Sequence, residues 1–282
     1  MCNRHCVKHS PLVERSEISF NFAKHTYNMT ANIIKIACCL VCVVGIASAA
    51  PATVKLPKDF VQCKRSDPKL NECIKNALRK AIPHLVKGVP SFGLYPIDPL
   101  RITALGIDQG TGPVSIKLNF RDLDISNIGS IKINEIFADL NKNNITLDVH
   151  FEKPITLDGN YDIKGKVIIL PITGDGLCKI SLENLRAKIN VYLNPIVKNG
   201  ITYADVSDIK LTFTTTKMRL KLDNLFKGDK ALGSNMNTFL NENWKDILAE
   251  LQTNFESALA AAFSGVAQQF FSRVPYNQVF IE

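Results

Sequence analysis

Read for polarity alone, the chain has two regimes. Val114, Ile116, Leu118 and Phe120 alternate with Ser115, Lys117 and Asn119, and Ile145, Leu147, Val149 and Phe151 alternate with Thr146, Asp148 and His150. Tyr161, Ile163, Val167 and Ile169 share one parity, as do Leu185, Ala187, Ile189, Val191 and Leu193, and then Met218, Leu220 and Leu222. A period of two with one apolar side predicts half-buried antiparallel strands, dry on one face and wet on the other. Gly110-Thr-Gly-Pro113, Asn141-Lys-Asn-Asn144 and Lys198-Asn-Gly200 divide them as turns.

On either side of this region the period lengthens. Asp67-Pro68 is a helix start, an N-cap followed by proline at the first position. Leu70, Ile74, Ala77, Leu78, Ala81, Ile82 and Leu85 follow at helical spacing; Pro83 predicts a kink, and Gly88 with Pro90 a stop. At the other end Met236, Leu240, Trp244, Ile247, Leu248, Leu251, Phe255, Leu259, Ala262, Val266 and Phe270 predict one long helix. Its first half is amphipathic, with Glu242, Asp246 and Glu250 on one side, but Ser257 to Ala267 carries no charge at all. A helix segment apolar all round has to be enclosed, so the strands are expected to wrap it. No linker or internal repeat divides this region.

Before these elements lies Ile33 to Ala50, IIKIACCLVCVVGIASAA. Lys35, an apolar run over Ile36–Ile46 and the small residues Ala47-Ser48-Ala49 read as a secretory signal peptide. The run is shorter than the ~20 apolar residues of a membrane span. Met29 reads as the working start and Met1–Asn28 as an upstream extension. The expected organisation is therefore 1–49, extension plus signal (about 29–49 for the signal itself), and 50–282, one domain. Cleavage is expected to leave Ala50 or Pro51 first.

Composition changes this picture little. The 282 residues are 46% hydrophobic and 21% charged with net charge +8, which excludes a disordered polymer. The 15 glycines have no period, which excludes collagen. Removing residues 1–49 lowers Lys+Arg from 34 to 29 and Asp+Glu from 26 to 24, leaving +5. Without a Lys/Arg run, that charge points to no nucleic acid. Of the eight cysteines, Cys63, Cys73 and Cys178 remain. Secretion favours a disulfide; Cys63 and Cys73 are the natural pair, and closing so short a loop contributes about 2–3 kcal/mol.

Four segments, VPSFGLYPIDPLRI (Val89–Ile102), YDIKGKVIILPITGDG (Tyr161–Gly176), FSRVPYNQVF (Phe271–Phe280) and the N-terminal helix with its nearby cysteine pair, stand in an order that resembles the insect takeout and haemolymph juvenile-hormone-binding family. The resemblance covers Lys55–Glu282. It implies an α+β fold in which a highly curved antiparallel sheet rolls around one long C-terminal helix, half of a tubular lipid-binding architecture with a short N-terminal helix. It also implies a hydrophobic tunnel between helix and sheet, and a role as a secreted carrier of a terpenoid such as juvenile hormone, or of a fatty acid. Family members are linked to feeding, behaviour and chemosensory tissue, so the alternative is a secreted factor that acts on an extracellular protein partner with no obligatory small ligand.

Catalytic chemistry has little sequence support. His84 and His150 have no Cys or His at metal-ligand spacing. A Gly-x-Ser-x-Gly elbow is missing. Gly174-Asp-Gly176 lacks a third glycine and reads as a turn. No catalytic residue, metal or cofactor is expected. Lys217, Arg219 and Lys221 read as the wet face of a strand. Asn144-Ile-Thr146 is a glycosylation sequon. The expected ligand-lining residues are Leu118, Phe120, Leu147, Val149, Phe151, Tyr161, Met218, Phe239 and Trp244, with the Tyr161 hydroxyl able to orient a polar ligand end. Cys178 shares parity with Ile180 and Leu182 and is expected to point inward, unreactive.

Overall fold

The structure, a computed structural model, describes residues 56, 57 and 60–282. The upstream extension, the signal segment, the Met29 start and the cleavage site lie outside the described residues. The described residues group as one compact unit.

Nine strands make two antiparallel, curved sheets. The first orders β10 (Lys217–Leu222), β7 (Leu170–Glu183), β6 (Ile155–Val167), β3 (Val114–Ser126) and β2 (Leu100–Gln109). The second orders β4 (Ile131–Asp139), β5 (Asn144–Phe151), β8 (Arg186–Lys198) and β9 (Ile201–Thr214). A short parallel pair joins β1 (Cys63–Lys64) to β11 (Phe280–Ile281). The helices are α1 (Leu70–Lys87), α2 (Lys230–Glu242), α3 (Trp244–Phe271) and the single turn α4 (Tyr276–Val279).

The helices sit where the sheets would otherwise expose unpaired backbone. A strand edge is a row of free N–H and C=O groups that must be covered or paired. α3 runs along β9 and β2, one edge of each sheet. Gln252 donates to the Phe213 carbonyl (2.7 Å), Glu256 accepts the Phe213 N–H (3.0 Å), and Gln268 accepts the Val206 N–H (2.7 Å). α2 does the same for β10. Asn241 accepts the Leu220 N–H (3.0 Å) and donates to its carbonyl (2.6 Å). Asn237 accepts the Leu222 N–H (2.9 Å) and donates to its carbonyl (2.8 Å). α1 covers β4, where Asn71 accepts the Ala138 N–H (2.9 Å) and Lys75 donates to the Asn134 carbonyl (2.5 Å).

Three elements depart from the periodicity reading. The expected single C-terminal helix breaks at Asn243, which takes φ −103°, ψ 20° between α2 and α3. α1 begins at Leu70, three residues after Asp67, whose carboxylate instead accepts the Lys69 N–H (2.8 Å) in the turn that leads in. Gly174 and Gly176 lie inside β7 rather than in a turn. The reason is clearance. A Cβ on Gly174 would stand 2.8 Å from the Tyr161 hydroxyl and 2.9 Å from Leu225, and one on Gly176 would stand 2.7 Å from the Asp223 carbonyl. The glycines let residues 223–225 cross the strand closely. Ile169, read as inward, occupies the β6–β7 turn and is 79% exposed.

Three of the four sequence segments meet in a second, small core. Phe92 stacks edge-on with Phe60 and Phe270, and Arg273 donates to the Phe92 carbonyl (2.7 Å). Val89, Leu94 and Val274 complete this small core. Asp98 accepts the N–H groups of Asn127 (2.8 Å) and Gly129 (2.9 Å), which anchors the Asp98-Pro99 turn. Cys63 and Cys73 are bridged, tying β1 to α1, and Cys178 is free and buried.

Candidate functional site

The nine expected lining residues come from both sheets and two helices. Leu118 and Phe120 on β3 stand opposite Ile163 and Tyr161 on β6, and Met218 lies on β10. Leu147, Val149 and Phe151 stand on β5, Phe239 on α2 and Trp244 at the first position of α3. All nine belong to one hydrophobic cluster. Leu118, Phe120, Val149, Tyr161, Met218 and Trp244 are buried, whereas Leu147, Phe151 and Phe239 are half-buried against them. Phe120 meets Phe255 of α3 at 6.4 Å between ring centres, which links the five-stranded sheet to the helix.

The burial is graded along α3. In its first half Trp244, Ile247, Leu248 and Leu251 are buried. From Phe255 onward, Phe255, Leu259, Phe263, Val266 and Phe271 pack on the same cluster but are only half-buried, with Ala260 the buried exception. Half-buried Leu147 and Phe151 on β5 and half-buried Ile189 and Val191 on β8 belong to the same cluster. The α3 stripe was legible in the chargeless run, where apolar residues recur at i, i+4 and i+8, yet none of its five members was among the expected lining residues.

Polar groups around this cluster are engaged within the protein, with the exception of Asn144 Oδ1, which is buried without a partner. The Tyr161 hydroxyl donates to the Asp223 carbonyl at 2.7 Å, so its proton is committed to the fold rather than left for a ligand. Burial pushes this phenol above its ordinary range, and the charge of Asp175 adds to the shift. Burial also pushes the Cys178 thiol up to about 11, so at neutral pH it is a protonated, unreactive core residue. His150 is bonded through Nδ1 to Asn134 (2.6 Å), and His84 stacks with Phe60. Among the described residues no group of His, Cys, Asp and Glu is arranged to hold a metal.

Among the described residues, three surface grooves are lined by none of the nine expected residues. One of about 440 Å³ runs between β9 and α3, floored by Ile209, Leu211 and Ala260. A second, about 450 Å³, lies between α1 and the β4–β5 hairpin and includes Asn144 and Thr146, and the third, about 350 Å³, is bordered by Lys142, Tyr192 and Lys210. The sequon therefore begins a strand rather than occupying a turn, and its Thr146 hydroxyl donates to Asn190 (2.7 Å). Arg219 and Lys221 lie on the wet face of β10, paired with Glu183 (2.8 Å) and Asp223 (3.6 Å). No described helix is long and apolar enough to cross a membrane.

Comparison with known proteins follows the same lines. Residues 38–281 match the family described as Haemolymph juvenile hormone binding protein (JHBP). "Circadian clock-controlled protein daywake" of Drosophila melanogaster is 24% identical over 245 residues, covering 83% of this chain and 92% of that protein. A Schistocerca gregaria protein named "Putative beta-carotene-binding protein" is 25% identical over 216 residues, 76% of this chain and 85% of that one. The crystal structure of Epiphyas postvittana Takeout 1 aligns with a TM-score of 0.68 at 27% identity, covering 79% of this chain and all of that chain. With its two curved sheets closed by a C-terminal helix and a family match spanning both, the chain belongs to the haemolymph juvenile hormone binding protein family.

Proposed function

We propose that the protein is a secreted, non-catalytic carrier that sequesters a small hydrophobic molecule, a terpenoid such as juvenile hormone or a fatty acid, between α3 and the sheets. The observation that carries this reading is the graded burial of α3. Side chains that pack on a core and yet stay reachable are the surface a lipid would cover, and α3 from Phe255 to Phe271 presents five of them with Glu256 the one charged residue of that stretch. The family description and the carotene in the name of the Schistocerca relative support a hydrophobic cargo. A cargo that buries about 400 Å² of apolar surface gains about 10 kcal/mol gross at 25 cal/mol/Å². Association costs of several kcal/mol leave nanomolar to micromolar affinity. The mechanism is exclusion of water, and it needs no catalytic group.

The test is Leu147→Trp, at a half-buried position on β5 between Ile136 and Ile189. In open ligand space the ring is accommodated, so the thermal midpoint should stay near that of the parent while displacement of a fluorescent fatty-acid probe weakens. In solid core the added volume costs about 1–3 kcal/mol. A clear loss of stability, in a protein whose parent binds no probe, would end the carrier reading. Native mass spectrometry after mild purification identifies the cargo.

A further inference from the structure

The β6–β7 hairpin ends in a turn that burial explains only in part, since Ile168 packs against the core and Ile169 does not. Its two loop residues are Ile168 and Ile169, between the Val167–Leu170 pair. Ile169 is 79% exposed. Ile168 holds φ +58°, a region in which glycine is the usual residue of a tight hairpin and a β-branched side chain is strained. A tight turn built for solubility would place Gly, Asn or Asp here.

Within the hairpin the charge near the tip has one sign, the nearby acids being Glu250 of α3, beside Gly112, and Asp108 of β2. From Lys164 to Thr173 the hairpin contains no acidic residue, while Lys164 and Lys166 are exposed on one face of β6. Lys117 of β3 stands directly opposite Lys164 in the register. Like charges in that position repel, and of this trio only Lys117 has a recorded acidic neighbour, Asp108 at 3.7 Å. The next acids on the hairpin, Asp162 and Asp175, are cross-strand partners farther from the tip, and Asp162 is paired with Arg121 (3.4 Å).

We propose that this tip docks the protein on an anionic lipid bilayer, with Ile169 entering the boundary between headgroups and acyl chains while Lys164, Lys166 and Lys117 meet lipid phosphates. An exposed aliphatic flanked by lysines is the pairing an anionic membrane surface attracts, the apolar group supplying burial and the cations long-range attraction. A phosphate surface also relieves the Lys117–Lys164 repulsion, which a neutral protein partner would leave in place. Nothing in this inference depends on what fills the interior.

The experiment is vesicle co-sedimentation of the full chain with phosphatidylcholine vesicles and with phosphatidylserine-containing vesicles, at low and at raised salt. Binding should favour the anionic vesicles and weaken with salt. Ile169→Asp should reduce the bound fraction about tenfold, the scale of losing one buried aliphatic side chain, and Lys164→Glu with Lys166→Glu should do the same. Ile169→Ser, milder at the same site, should lose binding as well. Since these positions are exposed, the thermal midpoint should not move, and the fatty-acid probe should bind the variants as it binds the parent, which keeps this test separate from the carrier reading. Absence of parental binding to anionic vesicles overturns the proposal, as does equal binding by Ile169→Asp, which would place any membrane contact on another surface.

Discussion

Asn241→Ala tests the edge-covering arrangement most directly. The Asn241 amide accepts from the Leu220 N–H at 3.0 Å and donates to the Leu220 carbonyl at 2.6 Å, so one side chain satisfies both outward backbone groups of an edge residue. Truncation leaves both unpaired. An unsatisfied buried group costs about 1–3 kcal/mol. Leu220 is only half-buried, so water reaches part of the way and the low end applies, about 2 kcal/mol for the two groups. Alanine returns about 0.6 kcal/mol through its better helix propensity in α2. The net expectation is a destabilisation of about 1.5 kcal/mol, read as a lower urea midpoint at unchanged m. Amide exchange at Leu220 should accelerate with it. Asn241→Asp sharpens the reasoning, because a carboxylate still accepts from the N–H but faces the carbonyl without a donor. It should be at least as destabilising at neutral pH and recover as acid protonates it, since the protonated form donates. A cost under about 0.5 kcal/mol, the range of an ordinary surface change, together with unchanged Leu220 exchange, would refute the claim that α2 holds this edge.

Two further outcomes follow from close packing and from burial. Gly174→Ala drives a Cβ to 2.8 Å from the Tyr161 hydroxyl and 3.0 Å from the Leu225 Cα; it should cost about 1–3 kcal/mol in a denaturant titration, whereas Gly110→Ala, which meets nothing within 4 Å, should stay within about 0.5 kcal/mol. For Cys178 the ordinary thiol value of 9.0 applies to the unfolded chain and about 11 to the folded one. The unfolded state therefore loses its proton first, and the stability this thiol contributes is complete below pH 9 and is lost as pH rises toward 11. Cys178→Ala should flatten the pH dependence of the urea midpoint in that window, and in the parent the thiol should resist alkylation at neutral pH until the protein unfolds.

The strands that periodicity revealed and those it missed differ in one physical respect. β5, β8 and β10 keep one apolar parity where they were recognised, as does β3 up to Phe120. The missed strands change parity or lose it. β4 carries Asn134 as an extra residue, so its buried positions pass from Ile133 to Ile136. β9 carries Ser207 in the same way, and its buried set passes from Ala204 and Val206 to Ile209, Leu211 and Phe213. β2 shifts from Leu100 to Leu105 and Ile107 opposite the β3 bulge at Arg121–Asp124, beyond which β3 itself resumes with Leu123 and Ile125. β7 has glycines where side chains would collide with the crossing segment. A bulge inverts the face on which a residue stands, so strict alternation finds only uninterrupted stretches. These bulges also add the local twist that a sheet needs in order to curve; the interruptions that hid the strands belong to the curvature that brings the edge strands β2 and β9 onto one helix.

The edge-covering amides of α2 and α3 have no signal in the sequence for a related reason. Asn237 and Asn241 are spaced i, i+4, one helical turn apart on one face, and Leu220 and Leu222 are spaced i, i+2 on a strand. Each spacing is unremarkable alone. A helical turn rises 5.4 Å, while two strand residues advance about 6.6 Å, close enough for side-chain amides to bridge the difference when helix and strand lie side by side. The pairing exists only in the folded chain. Lining residues raise a related problem in reverse, because inward parity marks Val149 and Leu147 identically although one is buried and the other half-buried. The same difference runs along the apolar stripe of α3, which presents buried Trp244, Ile247, Leu248 and Leu251 at its start and, apart from buried Ala260, half-buried Phe255, Leu259, Phe263, Val266 and Phe271 farther on. A hydrophobic molecule held along α3 would therefore sit toward its chargeless second half, and Phe263 and Val266 are better probes of it than Trp244.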